Sequence, residues 1–99
     1  MTATTATIDI TNPVLRGMYP DPSWMWDEPG ERVALVNSSF ELVPGLPIHV
    51  SDDIANWELA GNAVDEAMAQ RLLIPFVLDS GGLYAPTLRM IRGKYVIAC

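Results

Sequence analysis

Cysteine is almost missing: the single thiol of the 99-residue chain is Cys99. One thiol cannot make an internal disulfide, and no Cys/His spacing of a structural metal site exists. Basic residues are scarce too, with six Lys and Arg against twelve Asp and Glu, for a net charge of −6 and a pI near 4.4. The six are scattered, so nucleic acid and anionic membrane surfaces are poor partners. No stretch approaches the roughly 20 apolar residues of a membrane span. Residues 1–13 have neither the basic start nor the apolar run of a secretory signal, which predicts a soluble cytoplasmic chain. Ser38, Ser39 and Ser80 have no His/Asp pattern around them, so serine-hydrolase chemistry is unsupported. What is plentiful is apolar: 49 % hydrophobic against 18 % charged residues. That composition can build a core and argues against disorder.

Turn signals divide the chain into short strands. Residues 1–11, rich in Thr and Ala, predict a flexible N-terminal arm, and Asn12-Pro13 marks the first turn. Strands are expected at Ser23–Trp26, Arg32–Ser39, Ile48–Ser51 and Trp57–Gly61. They are separated by "DEPGE", "VPGLP" and "DDIAN", the sequence form of an antiparallel meander. Val64, Met68 and Leu72 then recur at helical spacing, predicting a helix over 62–73 with Asn62 as N-cap and Asp65 in the first turn. After a loop at "DSGG", "YAPTLRMI" resumes a strand, Arg92-Gly93 turns, and "KYVIAC" begins its partner. The later hairpin echoes "YPDPSWMW" followed by "RVALV". A four-stranded meander that restarts is the pattern of β-propeller blades. The expected fold is all-β: one blade and part of a second, too little to close a ring.

Within this pattern "YPDPS" clamps a carboxylate. Pro20 restricts its own φ, and Pro22 biases Asp21 toward extended backbone. If the following strand is the innermost of its blade, Asp21 stands at the channel mouth. The matching position of the second blade, near Tyr84 and Ala85, then faces the same pocket. For an isolated motif of this kind, a plain Asp-Pro turn is the better explanation.

Three stretches taken together, "NPVLRGMYPDPS", "NSSFELVPGLPIHVSDDIANWELAG" and "DSGGLYAPTLRMIRGKYVIA", resemble the opening of glycoside hydrolase family 43, closest to its β-xylosidases. The resemblance runs in order from Asn12 to Ala98, and makes 12–99 the N-terminal part of such a domain. It implies a five-bladed β-propeller that hydrolyses xylosidic or arabinofuranosidic bonds with inversion. It also implies three carboxylates: an aspartate base, a second aspartate that orients and tunes, and a glutamate acid. Only the base maps here, onto Asp21. The other two are expected in later blades, so the chain looks like an N-terminal fragment, inactive alone. Phe40 aligns with a phenylalanine lining the family's sugar pocket, and Tyr84 stands where the xylosidases usually carry tryptophan. Leu42 and Val43 replace the family's usual Trp-Phe, and the segment "AVDEAMAQRLLIPFVL" matches poorly.

The resemblance implies a xylo-oligosaccharide or arabinose-containing oligosaccharide as partner. It implies no cofactor in this stretch; where family members hold a divalent cation such as calcium, its ligands lie elsewhere. Exposed blade edges invite self-association. Glu41 is expected as an exposed blade-edge carboxylate, His49, Trp24 and Trp26 as structural residues, Trp57 as a core anchor, and Asp52-Asp53 as a turn. Three alternatives stand beside the xylosidase reading. One is a non-catalytic carbohydrate-binding or inactive propeller fragment. Another is an α-L-arabinofuranosidase of the same family. The third is an invertase-like enzyme, which the pairing of "PDPS" with "SSFE" opposes.

Overall fold

A computed structural model describes residues 7–99. Most of the expected N-terminal arm, residues 1–6, lies outside the described residues; 7–11 are exposed and carry no regular structure. The strands are β1 (Ser23–Asp27), β2 (Arg32–Val36), β3 (Gly45–Ser51), β4 (Glu58–Val64), β5 (Thr87–Ile91) and β6 (Lys94–Ala98). A short helix α1 (Glu66–Arg71) and a 3₁₀ turn (Ile74–Phe76) join β4 to β5. β1 to β4 form one antiparallel sheet in sequence order, and β5 and β6 form a second. The expected meander and its restart are both present. The register runs through Met25↔Ala34 and Ala34↔Val50, with an irregularity between Ile48 and His49.

The turns are held by their own carboxylates. Asp27 accepts from the Gly30 amide at 3.2 Å and from Arg32 Nε at 3.0 Å, closing "DEPG" between β1 and β2. The Tyr95 hydroxyl from β6 is the main influence holding the Asp27 carboxyl below its ordinary range, ahead of Arg32 and the Gly30 amide, while burial opposes them. At the β3–β4 turn, Asp53 Oδ1 accepts from the amides of Ala55 (2.9 Å) and Asn56 (2.8 Å), and Oδ2 accepts from Asn56 Nδ2 at 2.8 Å. The Asn56 bonds come first among the causes that lower the Asp53 carboxyl to about 2. Asp52-Asp53 is therefore a turn, as expected.

The core lies between the two sheets. Ala34 and Val36 of β2, Leu46 of β3, Val64 of β4 and Leu88 of β5 are buried there, together with Ala69 and Ile74. Alternation along each strand sends these side chains to one face. β5 docks on β1, where the Leu88 amide donates to Ser23 Oγ at 3.0 Å.

Several expectations are corrected. β2 ends at Val36: the Asn37 amide still donates to the Pro47 carbonyl of β3 at 3.3 Å, but Pro47 has no N–H to return, and Ser38 and Ser39 turn to the bonds described below. Gly45, Leu46 and Pro47, read as turn, belong to β3. β4 runs on through Asn62 to Val64, and the helix is only Glu66–Arg71. Its N-cap is Asp65, which accepts from the Met68 amide at 2.8 Å, not Asn62. Met68 and Leu72, the supposed apolar stripe, are exposed, and Ala69 is the helical residue that is buried. Trp24 and Trp26 do alternate with Met25, but onto the open face, at 65 % and 52 % exposure. Trp57 is half-buried at the β3–β4 turn, its indole N–H donating to the Ile54 carbonyl, and lies outside the core cluster. Among the described residues no helix is long and apolar enough to cross a membrane.

Candidate active site

Asp21 is exposed, just ahead of β1. Its φ is +51°, in the left-handed region, and not in the extended region that the following proline favours. Aspartate enters this region more readily than most residues, and here neighbouring bonds over-determine it. The Pro20 carbonyl accepts from the Ser38 amide at 3.2 Å and from Asn37 Nδ2 at 3.1 Å. Asn37 Nδ2 also donates to the Tyr19 carbonyl at 2.8 Å. The Ser38 hydroxyl donates to Asp21 Oδ2 at 2.9 Å. Asn37 and Ser38 are each only 1 % exposed. The clamp on Asp21 is thus the "NS" of "NSSF" at the end of β2, as well as the flanking prolines. Sequence reading missed both residues. The one signal available was a polar trio closing an apolar strand.

The same trio reaches the second hairpin. Ser39 Oγ accepts from the Leu46 amide at 2.9 Å. The amides of Ser39 and Phe40 both donate to the Leu83 carbonyl, at 3.1 and 2.9 Å, and the Leu83 amide returns to the Phe40 carbonyl at 2.9 Å. This isolated antiparallel bridge brings Phe40 and Tyr84 edge to face, ring centroids 5.7 Å apart at 67°. Phe40 is half-buried and Tyr84 is 56 % exposed. Glu41 is exposed, as expected, and Glu41 Oε2 accepts from the Ser80 amide at 3.0 Å, tying the "DSGG" loop to the same turn. The Cys99 thiol donates to the Tyr84 carbonyl at 3.3 Å.

His49 is buried on β3 with its ring edge-on to Tyr19, centroids 5.0 Å apart. Burial pushes its imidazole below the ordinary range, which favours the neutral form. It is a packing residue of the clamp's base, as expected. Among the described residues no three His, Cys, Asp or Glu side chains converge as a metal site would need.

β1 and β5 both begin at this end of the molecule, joined by the Ser23–Leu88 bond. The carboxylate ahead of one strand and the aromatic ring ahead of the other therefore belong to one edge. A carboxylate fixed through one oxygen can take a proton from water with the other, and an exposed ring can cover the apolar face of a sugar. One carboxylate alone cannot also protonate a leaving group.

Comparison with known proteins shows the family. The family model for "Glycosyl hydrolases family 43" matches residues 10–99. A non-reducing end α-L-arabinofuranosidase of Bacteroides ovatus is 40 % identical over 86 residues, covering 87 % of this chain and 16 % of the relative. A β-xylosidase of Bacillus subtilis is 40 % identical over 86 residues, 87 % of this chain and 15 % of that protein. Among solved structures, a variant of the GH43 protein BlXynB of Bacillus licheniformis matches with a TM-score of 0.78 and 36 % identity, over 88 % of this chain and 16 % of that one. The chain thus spans about one sixth of the length of the relatives it matches.

Proposed function

This chain belongs to glycoside hydrolase family 43, its two sheets being a blade and part of the next blade of the β-propeller, and we propose that within such an enzyme Asp21 is the general base. The observation that supports the reading is the run of contacts between these residues: Ser38 holds Asp21 Oδ2, the next two residues, Ser39 and Phe40, bond the Leu83 carbonyl, and the Phe40 ring meets that of Tyr84. In inverting hydrolysis, water attacks the anomeric carbon from the face opposite the leaving group and gives its proton to the base. The glycosidic C–O bond breaks as a second carboxylic acid protonates the departing oxygen. The two carboxyl groups stand roughly 6.5–9.5 Å apart so that the water fits. Asp21 supplies the first function. The glutamate acid and the orienting aspartate that the resemblance implies belong to the remaining blades of a family-length enzyme. Phe40 and Tyr84 form the aromatic wall against which the sugar ring is set.

The substrate in this reading is a terminal β-xylosyl residue of a xylo-oligosaccharide. The arabinofuranosyl alternative has a specific support: the matching arabinofuranosidase and the matching β-xylosidase are equally similar to this chain, at 40 % each. Both reactions need the same base. The 99 residues by themselves, carrying the base without an acid, are expected to be inactive.

The test joins residues 1–99 in frame to the remaining blades of a family 43 β-xylosidase, keeping chimeras that turn over an aryl xyloside or an aryl arabinofuranoside. Asp21→Asn is expected to lower kcat on the order of 10²–10⁴-fold. Turnover by Asp21→Asn within threefold of the parent overturns the assignment.

A further inference from the structure

We infer that Ser38 is a positioning residue for Asp21, holding Oδ2 of its carboxylate so that Oδ1 is the oxygen that receives the proton from water. This rests on the reading of Asp21 as the base. Ser38 is 1 % exposed, and its hydroxyl has two oxygens within reach: Asp21 Oδ2 at 2.9 Å and the Pro20 carbonyl at 3.4 Å. A hydroxyl has one proton to donate, and the shorter, charge-assisted contact takes it. The Pro20 carbonyl is already served by the Ser38 amide and Asn37 Nδ2. Ser38 therefore grips Asp21 twice, through the backbone just before it and through its carboxylate. Asn37, equally buried, adds the Tyr19 carbonyl to the grip.

The backbone of Asp21 is fixed, but its side chain has little else to restrain it. It is exposed, and its carboxylate has no other hydrogen-bond partner among the described residues. A short carboxylate pointing into solvent samples several rotamers, and a base must stay within a fraction of an ångström of its water to work. The buried hydroxyl removes that freedom. It also desymmetrises the carboxylate: Oδ2 is occupied as an acceptor, and Oδ1 is left for the water. Ser38 lies two residues past the end of β2, fully buried, with its hydroxyl aimed at the carboxylate on the site edge.

The experiment is a double-mutant cycle in the active chimeras described above. Ser38→Ala is expected to lower kcat roughly 10–100-fold, the usual range for a hydrogen bond to a charged group, with KM within threefold and the thermal midpoint nearly unchanged. In the Asp21→Asn background the same change is expected to cost less than twofold, because Ser38 acts only through Asp21. Ser38→Thr, which keeps the hydroxyl, is expected to recover most of the lost kcat. Equal losses from Ser38→Ala in both backgrounds would mean a structural role only and overturn the inference. So would Ser38→Ala with parental kcat while Asp21→Asn is dead, an outcome that leaves the base intact. An active Asp21→Asn enzyme removes the base itself, a distinct failure. Should Ser38→Ala not fold, Ser38→Cys replaces it, keeping the side chain but weakening the donor, and the same outcomes apply.

Discussion

Gly82→Ala tests whether the bridge between the hairpins builds the site. Gly82 has φ +101°, and a Cβ placed there collides with the Phe40 carbonyl oxygen, stands 2.6 Å from the carbonyl carbon and 3.1 Å from the Glu41 amide nitrogen. All three are backbone atoms, so no side chain can swing away. Holding alanine at such a φ costs about 1–3 kcal/mol. Moving the backbone apart loosens the three amide bonds between Ser39, Phe40 and Leu83, each contributing about 0.5–1.5 kcal/mol. Together these costs come to about 2.5–7.5 kcal/mol, against roughly 5–15 kcal/mol for an ordinary domain. Gly93 is the control: its φ is +75°, yet an added Cβ meets nothing within 4 Å. Gly93→Ala then costs only the left-handed strain, about 1–2 kcal/mol. The assay is urea unfolding of the 99-residue polypeptide at low micromolar concentration, followed by far-UV circular dichroism. With a slope of about 1–3 kcal/mol per molar urea, Gly93→Ala should lower the midpoint by about 1 M and Gly82→Ala by about 2 M or more. Equal midpoints for the two variants would refute the reasoning, since the collision would then carry no weight.

Two further predictions concern pH and the aromatic wall. Asp53 is held at about 2 and Asp27 also below its ordinary range, so their stabilisation is complete above the unfolded carboxylate range and is lost as pH falls through the folded values. His49 is lowered by burial, so the unfolded chain takes up its proton first and stability declines as pH drops below about 6.5. The urea midpoint should therefore fall from pH 7 to pH 5, and this step should vanish in His49→Gln; a step of unchanged size would contradict the assignment to His49. In the active chimeras, Tyr84→Ala should raise KM about three- to tenfold with a smaller change in kcat, as loss of an aromatic sugar contact requires; an unchanged KM would place Tyr84 outside the binding wall.

The meander could be read ahead of the structure because its turns announce themselves chemically. Asp27 and Asp53 close their own turns within a few residues, so "DEPG" and "DDIAN" carry local information. The helix boundary departs from the expected one because Val64, Met68 and Leu72 satisfy a helical period by coincidence. Pairing of Val64 with Gly45 keeps it in the sheet, and the Asp65 carboxylate, reaching the Met68 amide, starts the helix one turn later than the period suggested. The site divided in the same way. Asp21, Phe40 and Tyr84, the residues proposed for the site, stand out in the motifs "YPDPS", "SSFE" and "DSGGLYAP". The bonds that set them do not, because Asn37 and Ser38 reach back 17 or 18 residues and Leu83 lies far beyond Phe40. The left-handed backbone of Asp21 follows from those distant bonds, which is why a local rule about proline pointed the other way.

The central claim is that Asp21 activates water for a single displacement, and the anomeric form of the first product tests it most directly. Proton NMR of the active chimera hydrolysing an aryl β-xyloside should show α-xylose appearing first, with β-xylose growing in only as mutarotation proceeds. Early accumulation of β-xylose would mean a covalent glycosyl–enzyme intermediate, and Asp21 could not then be the base proposed.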